Sequence, residues 1–113
     1  MSWWISLVDS AGEYIDTDSS RTEGGTLCVG GTSEAVLNVT YNYGCKFNFR
    51  LLNLLPPKVA IVLIEHKIEQ LKDDIDSDYW NPTDGNVKRA LKTLRDFAKY
   101  TIDNNIDCAF RVN

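Results

Sequence analysis

"NPTDGNVKRALKTLRDFAKY", residues 81–100, is the most legible stretch of the chain. Pro82 suits a helix entrance, and Thr83 or Asp84 supplies a capping oxygen. Val87, Ala90, Leu91, Leu94, Phe97 and Ala98 then fall on one face. At about 100° per residue, Lys88, Lys92, Arg95 and Lys99 gather opposite them. The spacing predicts an amphipathic helix, which needs a second layer to cover its apolar side. The rest of the sequence must provide that layer.

Working backwards, Pro56-Pro57 fits the first turn of another helix. From Lys58 onward Ala60, Ile64, Ile68, Leu71 and Ile75 form a stripe at helical spacing. "VAIVLI" (59–64) is apolar all round, which predicts deep burial of that end. "DDIDSD" (73–78) is read as the helix end, where its negative charge opposes the helix dipole. Beyond the last helix, "DNNID" breaks the pattern and "CAFRV" (108–112) reads as a strand.

The N-terminal half alternates with a period of two. Trp3, Ile5 and Leu7 face one way; Trp4, Ser6 and Val8 face the other. "DSAG" turns the chain and Glu13 to Asp16 returns as a hairpin. "TLCV" is read as a strand after a polar loop, and "GGTSE" as a turn. From Ala35, Leu37, Val39 and Tyr41 share a face with it, while Val36, Asn38, Thr40 and Asn42 share the other. The expected architecture is α+β. An antiparallel sheet of four or five strands, made of N-terminal hairpins plus a C-terminal strand, packs on two amphipathic helices. Residues 1–113 form one domain.

Composition bounds the rest. Hydrophobic residues at 43% and charged residues at 25% mark a globular chain rather than a disordered one. No apolar run reaches the roughly 20 residues of a membrane span, and the start lacks a signal-peptide pattern. A cytoplasmic protein with no membrane partner is expected. A net charge of −4 argues against direct nucleic-acid binding and suits docking on a basic protein surface. Cys28, Cys45 and Cys108 read as free, small buried hydrophobes. Asn38-Val39-Thr40 fits the glycosylation pattern, but only a secretory protein would use it.

Catalytic and metal motifs are weak. Asp74, Asp76 and Asp78 alternate as calcium ligands do, but the loop's sixth and twelfth positions are Tyr79 and Gly85 rather than Gly and Glu. Neither "GGT" has the phosphate-loop spacing or its lysine. His66 is the only histidine, and no GxSxG elbow is present. Sixteen carboxylates include no pair singled out by spacing for hydrolysis. No cofactor or metal is expected.

One set of residues stands out as polar and aromatic. Thr32, Glu34, Asn38, Thr40, Asn42 and Tyr43 come from the strand region. Tyr79, Trp80, Asn81, Thr83, Asn86 and Arg89 come from the last helix's entrance. Buried amides need partners. These residues either bond one another, pinning the helix start to the sheet, or line a pocket for a small polar ligand. Glu34, Asn38, Thr40, Asn42, Tyr43, Tyr79, Trp80 and Arg89 are the candidate ligand- or partner-binding residues.

The segments "GGTSEAVLNVTYNY" and "DYWNPTDGNVKRALKTLRDFA" together resemble a family of small phage and prophage proteins. That family carries a GGTxEAxLNxTYNY segment followed by a YWxPTxGNxxxAL helix start, matched here by Gly30–Tyr43 and Tyr79–Leu91. The resemblance brings no established reaction. It implies a non-enzymatic protein in a bacterial host that binds a host protein or protein complex, with anti-CRISPR and other anti-defence inhibitors as the expected class. The alternative is a nucleotide-like ligand-binding or hydrolytic domain using the same pocket. A third reading is an accessory phage protein with no pocket.

Overall fold

A computed structural model describes residues 1–17 and 34–113. Three strands form one antiparallel sheet in the order β2-β1-β3, where β1 is Ser2–Val8, β2 is Val36–Thr40 and β3 is Ala109–Val112. The first strand is therefore central. It pairs with β2 in the register Ser2↔Thr40 to Ser6↔Val36, and with β3 from Ile5↔Val112 to Val8↔Ala109. Two helices, α1 (Pro57–Gln70) and α2 (Asp84–Asp103), pack on each other and cover the sheet.

The alternation read in β1 places Trp3, Ile5 and Leu7 in the core and leaves Trp4 exposed. They meet Leu37 and Val39 of β2, Phe110 of β3, Ile64 of α1, and Leu91, Leu94 and Phe97 of α2. These aliphatic and aromatic side chains, removed from water, supply the main drive for folding.

The architecture is α+β as expected, with three strands among the described residues rather than four or five. The expected return strand Glu13–Asp16 is reduced to two isolated bridges, Val8↔Tyr14 and Asp16↔Glu34. The expected strand "TLCV", with Cys28 and Thr32, lies outside the described residues. β2 also ends earlier than its alternation suggests. Thr40 caps a 3₁₀ turn, Tyr41–Cys45, by accepting a hydrogen bond from the Asn42 amide. A local side-chain bond of this kind competes with the strand ladder and bends the chain away.

α1 corrects two expectations. It stops at Gln70, so Leu71 is its cap and Ile75 is an exposed loop residue. Its N-terminal half is not buried all round. Ala60, Ile64 and Ile68 enter the core, but Val59, Val62 and Leu63 are 49%, 64% and 39% exposed.

α2 follows its wheel. Its end is a Schellman motif: Ile106 N–H bonds the Thr101 carbonyl at 2.9 Å and Asn105 N–H bonds Ile102 at 3.2 Å. Asn105 takes the left-handed conformation this cap requires, at φ 53°.

The outer edge of β3 is covered by its own chain. Leu54 N–H bonds the Phe110 carbonyl, Phe110 N–H bonds the Leu55 carbonyl, and the Asn53 side chain accepts from Val112 N–H. Sheet edges protected in this way do not recruit foreign strands. The cost falls on Leu54, which sits at φ 69° with its side chain 77% exposed.

Candidate functional site

The acidic loop between the helices explains its own charge. Its carboxylates do not oppose the end of α1; they serve the start of α2 and the turns leading to it. Asp74 Oδ1 accepts from Gly85 N–H, and Asp84 Oδ2 accepts from Lys72 N–H. Asp76 Oδ1 accepts from Asp78 N–H, and Asp78 Oδ1 accepts from Trp80 N–H. Carboxylates near a helix N-terminus are favoured by the dipole and by the open N–H groups there. Hydrogen bonds hold Asp76 below the usual carboxylate range, the Asp78 amide contributing most and the Asn81 side chain next.

Asn86 organises this loop. It is buried, accepts from Asp76 N–H through Oδ1, and donates through Nδ2 to the carbonyls of Asp78 and Asn81. Its own amide bonds Thr83 Oγ1, which makes Thr83 the helix cap. Gly85 allows the loop to pass over the helix start. A Cβ there would lie 2.5 Å from Asp74 C and Ile75 N. Asn86 belonged to the polar set read from sequence, but its controlling position was not visible in its spacing.

The 3₁₀ turn after β2 is tied to this helix entry at three points. The Tyr43 hydroxyl donates to the Tyr79 carbonyl, and Asn42 Nδ2 donates to the Trp80 carbonyl at 3.0 Å. Lys46 Nζ pairs with Asp84 Oδ1 at 2.8 Å. Lys46 and Asp84 lie far apart in the chain, and no motif announces their pairing. The hydrogen bond from Lys46 holds the Asp84 carboxyl below its ordinary range, with the Lys72 amide adding to it.

Aromatic rings complete the seam. Tyr43 and Tyr79 meet edge to face with centroids 6.3 Å apart, and Tyr79 leans on Trp80 at 5.3 Å. Burial drives the Tyr43 hydroxyl up to about 12, with a smaller contribution from Tyr79. Arg89 acts in the opposite sense, and Asp78 raises it further.

Five of the eight candidate residues therefore converge: Asn42, Tyr43, Tyr79, Trp80 and Arg89. Arg89 joins Tyr43, Tyr79 and Asn86 around a space of about 10 Å³, roughly one water molecule. Thr40 is buried and acts as the turn's cap. Asn38 donates to Ser2 Oγ at 2.7 Å and to the Trp3 carbonyl, and so bonds within the sheet. Glu34 is exposed before β2, at the end opposite Thr40. Six residues of extended chain separate it from Thr40 by about 20 Å, so it does not join the seam.

Other features lie elsewhere. A cavity of about 490 Å³ between the start of α1 and the end of α2 is walled by Pro56, Pro57, Val59, Ile102 and Ile106, and contains none of the eight candidates. His66 is exposed on α1 and contacts Gln70. Cys45 is exposed and Cys108 buried, both free, and burial raises the Cys108 thiol. Among the described residues, no three His, Cys, Asp or Glu side chains gather as metal ligands. No described helix is long and apolar enough to cross a membrane.

Comparison of the chain with family models, curated proteins and solved structures returned no match.

Proposed function

We propose that the chain is a small phage or prophage protein that works in the cytoplasm of a bacterial host by binding a macromolecular partner. The class that fits best is an inhibitor of a host defence complex, CRISPR complexes included. One observation carries the binding surface: Trp80 is 50% exposed on a backbone whose carbonyl is held by Asn42 and whose amide is held by Asp78. Tryptophan and tyrosine dominate the energetics of protein interfaces when they are held rigid. Here Trp80 stands beside Tyr79, with Asn42 next to it and Tyr41 exposed one residue away.

The surroundings define the partner's chemistry. Asp76 and Asp78 precede Trp80 in the same turn, and the whole chain carries a net charge of −4. An aromatic anchor with a carboxylate rim complements a basic protein surface, such as one that holds nucleic acid. The polar seam behind the anchor supports it rather than receives a ligand, since its internal space holds about one water.

The test is a pull-down from host lysate with mass identification, followed by affinity measurement on the purified partner. Trp80→Ala weakens binding at least tenfold, the loss of an interface hot spot of about 1.4 kcal/mol or more. Raising the ionic strength slows association, because salt screens the carboxylate rim. Retention of full affinity by Trp80→Ala overturns this surface.

A further inference from the structure

The cavity between the start of α1 and the end of α2 has a volume of about 490 Å³, a size typical of small-molecule sites. Its lining changes character with depth. Pro57, Thr101 and Cys108 are buried and form its floor, and Ile102 and Ile106 are half-buried and form its walls. The polar groups of the floor are already engaged. Thr101 Oγ1 donates to the Ala98 carbonyl at 2.8 Å, and Cys108 Sγ donates to the Ile106 carbonyl at 3.7 Å. Burial raises the Cys108 thiol above its ordinary range, so it stays neutral. A molecule that reaches this floor meets apolar surface and must itself be apolar at that end.

The rim carries both signs of charge. Lys58 and Asp107 line it from opposite elements, and both are exposed. Neither has an ion-pair partner among the described residues. The helix dipoles repeat this polarity. On the Lys58 side, α1 presents its positive end with no side-chain cap. On the Asp107 side, α2 presents its negative end with no basic residue in its last turn.

We propose that this cavity binds a free α-amino acid with a large apolar side chain. That side chain lies against Pro57, Ile102 and Ile106, the ligand carboxylate meets Lys58, and the ligand ammonium meets Asp107. The two rim charges select the zwitterion. An apolar anion gains Lys58 but is repelled by Asp107, and an apolar amine meets the reverse. Both ion pairs stand at the rim, within reach of water, so they add selectivity more than affinity. The site is separate from Trp80, and the proposal does not depend on the partner-binding reading.

Amide NMR titration of the full chain with L-leucine, L-phenylalanine and L-tryptophan tests it. The expected result is a saturable shift at the amides of Val59, Ile102 and Ile106, with a Kd on the order of 0.1–1 mM for at least one of the three. For the tightest of them, the analogue lacking the ammonium and the analogue lacking the carboxylate each bind about threefold more weakly or worse. Lys58→Gln and Asp107→Asn each weaken the amino acid by about the same factor. Val59→Trp fills the mouth and removes the shifts, whereas Trp80→Ala leaves them unchanged. Lys58, Val59 and Asp107 are all exposed, and circular dichroism verifies the fold of each variant. No saturable shift at the cavity with about 10 mM of any of the three amino acids overturns the proposal. So does a singly charged analogue that binds as tightly as the amino acid, or an affinity unchanged by Lys58→Gln or by Asp107→Asn.

Discussion

The hydroxyl of Tyr43 donates to the backbone carbonyl of Tyr79, 36 residues further along the chain. The bond ties the turn after β2 to the entrance of α2, one residue before the exposed Trp80. Its loss is separable from loss of packing, because phenylalanine fills the same ring space.

Tyr43→Phe is expected to lower stability by about 1–2 kcal/mol, since the Tyr79 carbonyl loses its donor inside a closed seam. Asn42→Ala, at an exposed position, is expected to cost less than about 1 kcal/mol. Urea unfolding of the three proteins checks both values. Equal losses would place the seam's strength in the wrong bond.

Alkaline pH attacks the same hydroxyl. In the fold Tyr43 ionises near 12, against an ordinary 10.0. A group whose folded value is raised contributes stability that is complete below the unfolded value and lost as pH rises through the folded one. The chain should therefore lose about 2 kcal/mol between pH 10 and 12, with burial of the neutral phenol as the main cause. Thermal melts across that window show the decline, and Tyr43→Phe flattens it. An identical slope in the variant would assign the loss to other groups.

Gly85 and Asn86 are expected to be the least replaceable residues of the loop. A Cβ at position 85 meets backbone atoms at 2.5 Å, and backbone cannot move aside as a side-chain tip can. Gly85→Ala should cost about 3 kcal/mol or more. Asn86→Leu removes one acceptor and two donor contacts, leaves three backbone groups unpaired, and should cost about 3 kcal/mol or more. Chemical denaturation measures both. Asp84→Gly, next to them, releases only Lys46 Nζ and the Lys72 amide, both within reach of water, and should be the milder change.

Leu54 should be replaceable without loss. Its left-handed backbone, φ 69°, costs a leucine about 1–2 kcal/mol, and its side chain is exposed. Leu54→Gly is expected to hold or raise stability by up to about 1 kcal/mol, as a melting-temperature series would report.

The elements that periodicity controls were legible in the sequence. α2 and β1 carry their apolar residues at the spacings that burial demands, and Thr83 at the cap is chosen by the four open N–H groups of any helix start. The end of β2 was not, because Thr40 stops the strand with a hydrogen bond rather than with a break in alternation. The inward and outward sides of α1 were not, because a run apolar all round specifies no direction. Within the site, the convergence of Tyr43 with Tyr79 followed from their chemistry, two aromatic polar segments needing partners. The exclusion of Glu34 and the pairing of Lys46 with Asp84 are set by where β2 starts and where its turn leads. Neither is written in local spacing.

The central strand of the sheet is made first and completed last. Ile5 waits for Leu37 on one side and for Val112 on the other. A ribosome producing this chain holds an unfinished sheet, with one edge of β1 unpaired, until β3 has been made. Completion of the sheet thus waits for β3, and until then the nascent protein has to be shielded or produced quickly to avoid sticking to its neighbours.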